Sequence, residues 1–219
     1  SSSEEVTEMP VRRIRANPRS ITGAVTGADG NFIDFESLLE RDYLVLTRFQ
    51  YPSAKIEEQP VKIPYVMDNG RKSHYTPDFL VEYEQGPSEL VEVKPAEVLV
   101  KEKEAFLARF AAAAEYAANK GWDFVIKSEI DVKLPVLPNA HFLIHYRTLK
   151  PKPELCARLM CEAESGPIPV GNLIASAIWE ASERYSAIPQ VWRLLATGML
   201  DADLNVPLNQ GSLVWAQAR

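Results

Sequence analysis

Cysteine, histidine and long apolar runs are scarce in this sequence, and each shortage excludes a class of protein. The 219 residues include two cysteines and three histidines. Cys156 and Cys161 have the spacing neither of a disulfide framework nor of zinc ligands, so we interpret them as reduced thiols on a helix. No uncharged segment approaches the roughly 20 residues that span a membrane, and residues 1–10 are acidic rather than signal-like. We therefore expect a soluble, cytoplasmic protein.

Positive charge is also in short supply. The 24 lysine and arginine residues are outnumbered by 30 aspartate and glutamate residues, which gives a net charge of −6. This balance argues against a protein that holds nucleic acid unaided over a broad basic surface, although it allows an enzyme that a partner delivers to DNA. The one dense basic cluster lies within residues 1–20, which we interpret as a flexible N-terminal arm. The arm is either solvated or in contact with DNA phosphates through Arg12, Arg13 and Arg15.

Residues 75–95 alternate between apolar and polar side chains on both sides of a turn at Gly86, which predicts a β-hairpin. Pairing of its two arms would bring Asp78, Glu92 and Lys94 together at one end of a small sheet. Two carboxylates and a lysine in this arrangement can hold a divalent metal ion and the water beside it. Mg²⁺ keeps several waters, so it needs few protein carboxylates when a substrate phosphate is present.

The spacing of these residues resembles the PD-(D/E)xK signature of restriction-endonuclease-like nucleases. Pro77-Asp78 is followed, after thirteen residues, by Glu92-Val93-Lys94. Linked segments at residues 35–43, 58–65, 75–79 and 91–94 occur in an order similar to that of TnsA, the endonuclease subunit of heteromeric cut-and-paste transposases. The resemblance is clearest over residues 10–135.

Resemblance to this family implies a metal-dependent DNA endonuclease that cleaves the 5′ ends of a transposon in a prokaryotic cytoplasm. It also implies two protein partners. One is a DDE-type transposase (TnsB-like) that cuts the 3′ ends, and the other is an AAA+ regulator (TnsC-like) engaged by the C-terminal domain.

The resemblance also assigns roles to the site residues. Asp78 and Glu92 would bind Mg²⁺, or Mn²⁺ as its substitute, with the Val93 carbonyl as a candidate third oxygen. In TnsA-like enzymes a helical glutamate before the sheet completes the metal site, and the match places this role on Glu40, which would bind or orient a second ion. Lys94 would position and help to deprotonate the attacking water and offset charge on the phosphoryl oxygens.

Glu40 also has an interpretation within its own helix. Ser37 and Glu40 could instead form a capping box at their own helix end, unless Asp34 is the helix cap.

Gln59 is a candidate DNA contact beside the site, although a glutamine before a proline could equally complete a strand end. His74 fits a surface or groove residue better than a metal ligand, and Lys101 could face either phosphate or solvent.

The pattern of apolar residues predicts an α/β fold with a restriction-endonuclease-like core. A helix after Asp34 is followed by a strand at residues 57–66, then by the hairpin. A long helix at about residues 96–120, ended by Gly121, leads to a further strand at residues 122–127. A hairpin, a helical crossover and another strand form a mixed sheet with flanking helices. We assign residues 21–150 to this nuclease domain.

Residues 150–154 are rich in lysine and proline, which predicts a linker before a second domain at residues 151–219. Three helices are expected, the second reaching Ala181 and the third lying between Pro189 and Gly198. Strands at 203–208 and 212–215 would follow. Three helices and a hairpin are typical of a winged-helix domain. Its third helix has little positive charge, so we expect it to bind protein rather than read DNA bases.

Two other functions remain compatible with the residues. The first is a stand-alone PD-(D/E)xK nuclease of defence or repair, which a strongly basic surface would favour and the net charge of −6 disfavours. The second is a non-catalytic adaptor whose nuclease fold only scaffolds a transposition complex. The presence of every expected acidic residue, and of Lys94, argues against that loss of activity.

Overall fold

The structure is a computed structural model that describes Gly23–Thr26, Phe32–Phe35 and residues 38–217. Within this part of the chain, no helix combines the length and the apolar character needed to cross a membrane. The chain divides into two compact units, Ser1–Lys133 and Leu134–Arg219. Each unit is described separately.

The first unit is built around a mixed sheet. Its elements are β1 (Gly23–Thr26), β2 (Phe32–Phe35), α1 (Leu38–Gln50), β3 (Lys55–Glu58), β4 (Ile63–Val66), β5 (Lys72–Tyr75), β6 (Phe79–Glu82), β7 (Glu89–Val93), α2 (Ala96–Lys101), α3 (Lys103–Lys120), β8 (Asp123–Lys127) and α4 (Glu129–Val132). The four-stranded sheet has the order β3-β6-β7-β8, antiparallel except for the parallel pair β7 and β8. Helices α2 and α3 connect that parallel pair, so the predicted mixed sheet with flanking helices is present.

Both faces of the hairpin formed by β6 and β7 are covered, which explains why its apolar residues are so completely buried. Phe79 and Val91 are paired across the two strands and pack with Tyr43 of α1 on one face. Leu90 points to the other face, where it packs with Tyr75 and with residues of α3. Because side chains alternate along a strand, Glu92 lies on the same face as Leu90.

Two predicted elements are each divided in the structure. The strand expected at residues 57–66 is replaced by β3 and β4, because Gln59 adopts a positive φ of 44° and Pro60 has no N–H for a ladder. The helix expected at residues 96–120 is interrupted at Glu102, whose φ and ψ are −106° and 20°. Its predicted end is confirmed, since Gly121 closes α3 in the left-handed conformation.

The start of α1 also differs from the prediction. Asp34 was expected to cap this helix, but it lies in β2, where it pairs with Ala24 of β1. The helix begins at Leu38. Strands β1 and β2, which precede it, pair with each other as a short antiparallel hairpin.

The second unit contains helices around a small antiparallel sheet. Its elements are α5 (Leu137–Ile144), a 3₁₀ turn (His145–Thr148), α6 (Pro153–Ala163), β9 (Ile168–Pro169), α7 (Val170–Ala177), α8 (Ala181–Ala196), β10 (Leu200–Ala202) and β11 (Leu213–Ala216). The strand order is β10-β11-β9. Both cysteines lie on α6 as free thiols; Cys156 is buried and Cys161 is exposed.

The predicted positions of the last elements need correction. The second helix ends at Ala177 rather than Ala181, and Pro189 lies inside α8 instead of at its start. The first strand of the hairpin is β10, not residues 203–208. It begins early because Gly198, with φ 70°, reverses the chain directly after α8.

The predicted boundary at residue 150 is also too late, because residues before it pack in the second unit. Asn139 Nδ2 donates hydrogen bonds to the carbonyl oxygens of Leu204 and Val206, both at 2.7 Å. Leu143 is fully buried, and the Phe142 ring contacts Trp192 of α8 with centroids 5.3 Å apart.

A fragment of residues 134–219 is therefore expected to unfold cooperatively in urea, followed by far-UV circular dichroism. A fragment of residues 151–219 should be less stable by about 2 kcal/mol or more, since removal of one buried leucine alone has a cost of that size. Equal stability of the two fragments would show that α5 does not belong to the second unit.

Candidate active site

The charged end of the central hairpin lies where β6 begins and β7 ends. Phe79 is paired with Val91 in antiparallel register, so the preceding Asp78 lies opposite Glu92. Residues directly opposite each other in an antiparallel pair share one face of the sheet. The structure therefore brings together the two carboxylates that the hairpin pattern was expected to juxtapose.

Three contacts hold these carboxylates in place. Asp78 Oδ2 accepts a hydrogen bond of 2.8 Å from the Val93 N–H. Glu92 Oε2 accepts one of 2.6 Å from the Tyr75 hydroxyl, and Glu92 Oε1 lies 3.0 Å from Lys94 Nζ. Glu92 is only 3% exposed. Because the partners are a backbone amide and two substantially buried side chains, the pair is preorganised before any ligand arrives.

The pKa values of Asp78 and Lys94 are both shifted, because charged groups are buried close together at this site. Burial, and then the charge of Glu92, raise the pKa of the Asp78 carboxyl well above its usual value, although the Lys94 ammonium opposes them. Burial lowers the pKa of Lys94, but the charges of Asp78 and Glu92 outweigh it, so this pKa is raised. Lys94 is therefore protonated at neutral pH and serves as the counter-ion of the two carboxylates.

Glu40 is a further acidic residue near this end of the sheet. It lies in the first turn of α1 and is 7% exposed. Its charge contributes to raising the pKa of both Asp78 and Lys94, which places it near them. The alternative capping box involves Ser37, which lies outside the described residues.

The donors at this site fit a hard divalent cation such as Mg²⁺. Asp78 and Glu92 offer carboxylate oxygens, and a cation between them would relieve their repulsion. Among the described residues, no group of three or more histidine, cysteine, aspartate or glutamate side chains could hold a metal ion. Glu40 therefore does not join the other two as ligands of one ion in this conformation. Further oxygens would have to come from the backbone, water or substrate.

The predicted DNA contacts fall in different places. The Gln59 N–H donates to the Asp78 carbonyl oxygen at 2.8 Å, which places Gln59 beside the site. Its buried Oε1 has no hydrogen-bond partner within the described part of the chain. His74 is exposed on β5, and Lys101 is exposed at the end of α2. Arg12, Arg13 and Arg15 lie outside the described residues.

Sequence analysis assigned no role to Tyr75, yet the structure makes it a hydrogen-bond donor to Glu92. Burial, and then the charge of Glu92, raise the pKa of its hydroxyl above the usual value, so the group keeps its proton. The ring is 6% exposed and lies 5.8 Å from the Phe110 ring, centroid to centroid. Alternation marks Tyr75 as a strand residue, but only the tertiary structure shows that its hydroxyl reaches a carboxylate on β7.

A mixed sheet with two opposed carboxylates and a lysine at one end fits the core of a nuclease. Residues 54–129 match the family described as TnsA-like endonuclease N terminal. This segment includes Asp78, Glu92 and Lys94, and over it the predicted resemblance to TnsA-like endonucleases is confirmed. Glu40 precedes the matched segment. A comparison with curated proteins gave no match.

The raised pKa of Asp78 has a consequence for stability. Since this pKa is higher in the folded than in the unfolded protein, ionisation of Asp78 destabilises the fold as the pH rises above about 4. Asp78→Asn should therefore increase the free energy of unfolding at pH 7 in metal-free buffer, on the order of 1 kcal/mol. The gain should disappear below about pH 4, where Asp78 is protonated in both states.

Urea unfolding at several pH values measures this effect. Asp123→Asn is the matched control, because Asp123 is exposed at the start of β8, at the opposite end of the sheet. At pH 7 it should change the free energy of unfolding by less than about 0.5 kcal/mol. A loss of stability in Asp78→Asn at pH 7 would contradict the electrostatic interpretation of the site.

Proposed function

We propose that the protein is a metal-dependent DNA endonuclease that cleaves the 5′, non-transferred strands at transposon ends. The observation that supports this most directly is the juxtaposition of Asp78, Glu92 and Lys94 inside the segment that matches the TnsA-like endonuclease family. Two carboxylates that would bind a metal ion, with an adjacent ammonium, are suited to hydrolysis of a phosphodiester.

The carboxylates of Asp78 and Glu92 would hold Mg²⁺, or Mn²⁺ in its place, and the Val93 carbonyl oxygen is a candidate third ligand. When bound, the ion supplies Lewis-acid activation of water and stabilises charge on the phosphate. The Val93 N–H and the Tyr75 hydroxyl keep the two carboxylates oriented. Glu40, nearby but outside this ligand pair, would orient a second ion or a water molecule.

Lys94 would hold the attacking water and neutralise negative charge that develops on the phosphoryl oxygens. Its raised pKa keeps it in the ammonium form at neutral pH. This supports charge neutralisation more strongly than the expected part in deprotonating the water, since an ammonium group cannot accept a proton.

Cleavage would take place within a complex with a DDE-type transposase (TnsB-like) and an AAA+ regulator (TnsC-like). The net charge of −6 supports dependence on such partners, because non-specific DNA affinity comes from phosphate neutralisation. Dependence on these partners distinguishes the proposed enzyme from a stand-alone nuclease.

The second unit would serve as the partner-binding domain. Its three helices α6, α7 and α8, followed by an antiparallel hairpin, have the order of a winged helix. Arg193 of the third helix donates from Nε to the Leu149 carbonyl oxygen at 2.9 Å. Because this contact engages the guanidinium within its own unit, protein binding is favoured over readout of DNA bases.

The roles of Lys94 and Asp78 can be separated by mutation. Lys94→Ala should leave Mn²⁺ affinity largely intact but lower the cleavage rate by about 100-fold or more, because lysine acts on water and charge rather than as a ligand. Asp78→Ala should lose both Mn²⁺ affinity and cleavage activity. Isothermal titration calorimetry measures Mn²⁺ affinity, and gel assays on transposon-end DNA, with the companion transposase present, measure cleavage.

Lys55→Ala is the matched control for this pair. Lys55 is exposed on β3 at the opposite end of the same sheet, so both properties should be retained. An equal collapse of Mn²⁺ affinity in Lys94→Ala and Asp78→Ala would contradict the division of roles.

Partner dependence predicts that Mg²⁺ and transposon-end DNA alone give little cleavage, and that addition of the companion transposase gives specific cleavage of the 5′ strands. Deletion of residues 134–219 should abolish this stimulation while Mn²⁺ binding by the remaining chain persists. Efficient, specific cutting by the isolated protein would instead favour a stand-alone nuclease.

A further inference from the structure

One cation near the site has no assigned role. Arg109 of α3 is half-buried, with its guanidinium carbon 4.2 Å from the centroid of the Phe106 ring and 5.9 Å from that of Phe110. The two rings are stacked on each other, with centroids 4.8 Å apart. A planar guanidinium lying over an aromatic ring is restricted in its orientation, so Arg109 is held in place before any ligand binds.

This arginine lacks the partners that a half-buried guanidinium normally has. Within the described residues, Arg109 makes no hydrogen bond or ion pair, and its Nε is buried without an acceptor. Buried donors are almost always satisfied, and a guanidinium carries five of them. No carboxylate of the described residues pairs with Arg109, which indicates a position that an anion from outside the chain could complete.

The position of Arg109 connects it to the catalytic end of the sheet. The Phe110 ring lies 5.8 Å from the ring of Tyr75, whose hydroxyl donates to Glu92 at 2.6 Å. The guanidinium carbon of Arg109 lies 5.9 Å from the centroid of that Phe110 ring. Two aromatic side chains, those of Phe110 and Tyr75, therefore separate Arg109 from a predicted metal ligand.

We propose that Arg109 binds a backbone phosphate of the DNA strand that enters the site, beside the phosphate that is cleaved. The inference rests on the proposed function, because it takes DNA as the substrate. The acidic residues that would hold the metal also repel DNA. A guanidinium on the helix that covers this face of the sheet would offset that repulsion, and its planar set of donors matches the geometry of a phosphate. A purely structural arginine, held only by its stacking on Phe106, would make no difference to DNA binding.

A salt-dependence measurement separates these two roles. Binding of a short fluorescent DNA duplex is followed by anisotropy in EDTA over a series of salt concentrations, starting at low salt. Arg109→Gln should weaken binding about tenfold at low salt, the size expected for one charge-assisted hydrogen bond. It should also reduce the slope of log affinity against log salt by about one.

Lys120→Gln is the matched control. Lys120 also contacts an aromatic ring, that of Tyr116 at 5.8 Å, and ends the same helix three turns further on. The Lys120→Gln substitution removes one positive charge, as Arg109→Gln does, and should change DNA binding little. Arg109→Lys keeps the positive charge but not the planar guanidinium. Its slope of log affinity against log salt should therefore match the wild type, while its DNA binding is weaker. Circular dichroism confirms that each variant is folded.

An unchanged slope in Arg109→Gln, an equal change in Lys120→Gln, or no measurable binding by the wild type at the lowest salt would overturn the phosphate contact. Cleavage with Mg²⁺ and the companion transposase is measured separately. Binding that depends on Arg109 without any cleavage would contradict the proposed function and leave the contact intact. Cleavage with an unchanged slope would contradict the contact alone.

Discussion

Two negative charges held close together at the end of a sheet are the constraint on which this site depends. The backbone N–H of Val93 and the hydroxyl of Tyr75 fix the carboxylates of Asp78 and Glu92, and the ammonium of Lys94 limits their repulsion. The pKa of Asp78 is nevertheless raised, so the arrangement is electrostatically unfavourable without a cation. The surrounding core has to provide the free energy that keeps the site assembled.

The hairpin register explains how the core does so. Phe79 and Val91 are paired and almost completely buried against α1, so a shift of one residue would move apolar side chains out of the core. The same register places Asp78 opposite Glu92. Packing on one face of the sheet therefore determines the spacing of charges on the other, and Tyr75 and Arg109 approach from elements that cover that second face.

Much of this geometry could be predicted from the sequence, because strict alternation in β6 and β7 leaves few ways to pair them. Gly121 and Gly198 likewise marked the ends of α3 and α8 correctly, since only glycine readily adopts a positive φ there. Pro189 was misleading, because a proline inside a helix is tolerated when tertiary packing of the helix offsets the lost hydrogen bond.

Other features depend on long-range contacts that a local pattern does not contain. The hydroxyl of Tyr75 meets Glu92 across seventeen positions of sequence, and Asn139 joins residues more than sixty positions later. Neither contact leaves a local pattern in the sequence. Tyr75 therefore received no role, and the boundary between the units was placed too late. Arg109 belongs to no sequence motif, because the feature that marks it is the lack of a hydrogen-bond or ion-pair partner among the residues that the structure describes.

The contrast between the two cysteines makes the second unit easy to label. Cys156 is buried, and its Sγ lies 3.3 Å from Gln190 Oε1, whereas Cys161 is exposed on the same helix. A maleimide dye at limiting concentration would react first at Cys161, since thiol reactivity requires access to solvent. The native chain thus offers one natural attachment point for a fluorophore or spin label, from which assembly with other subunits could be followed without engineered cysteines.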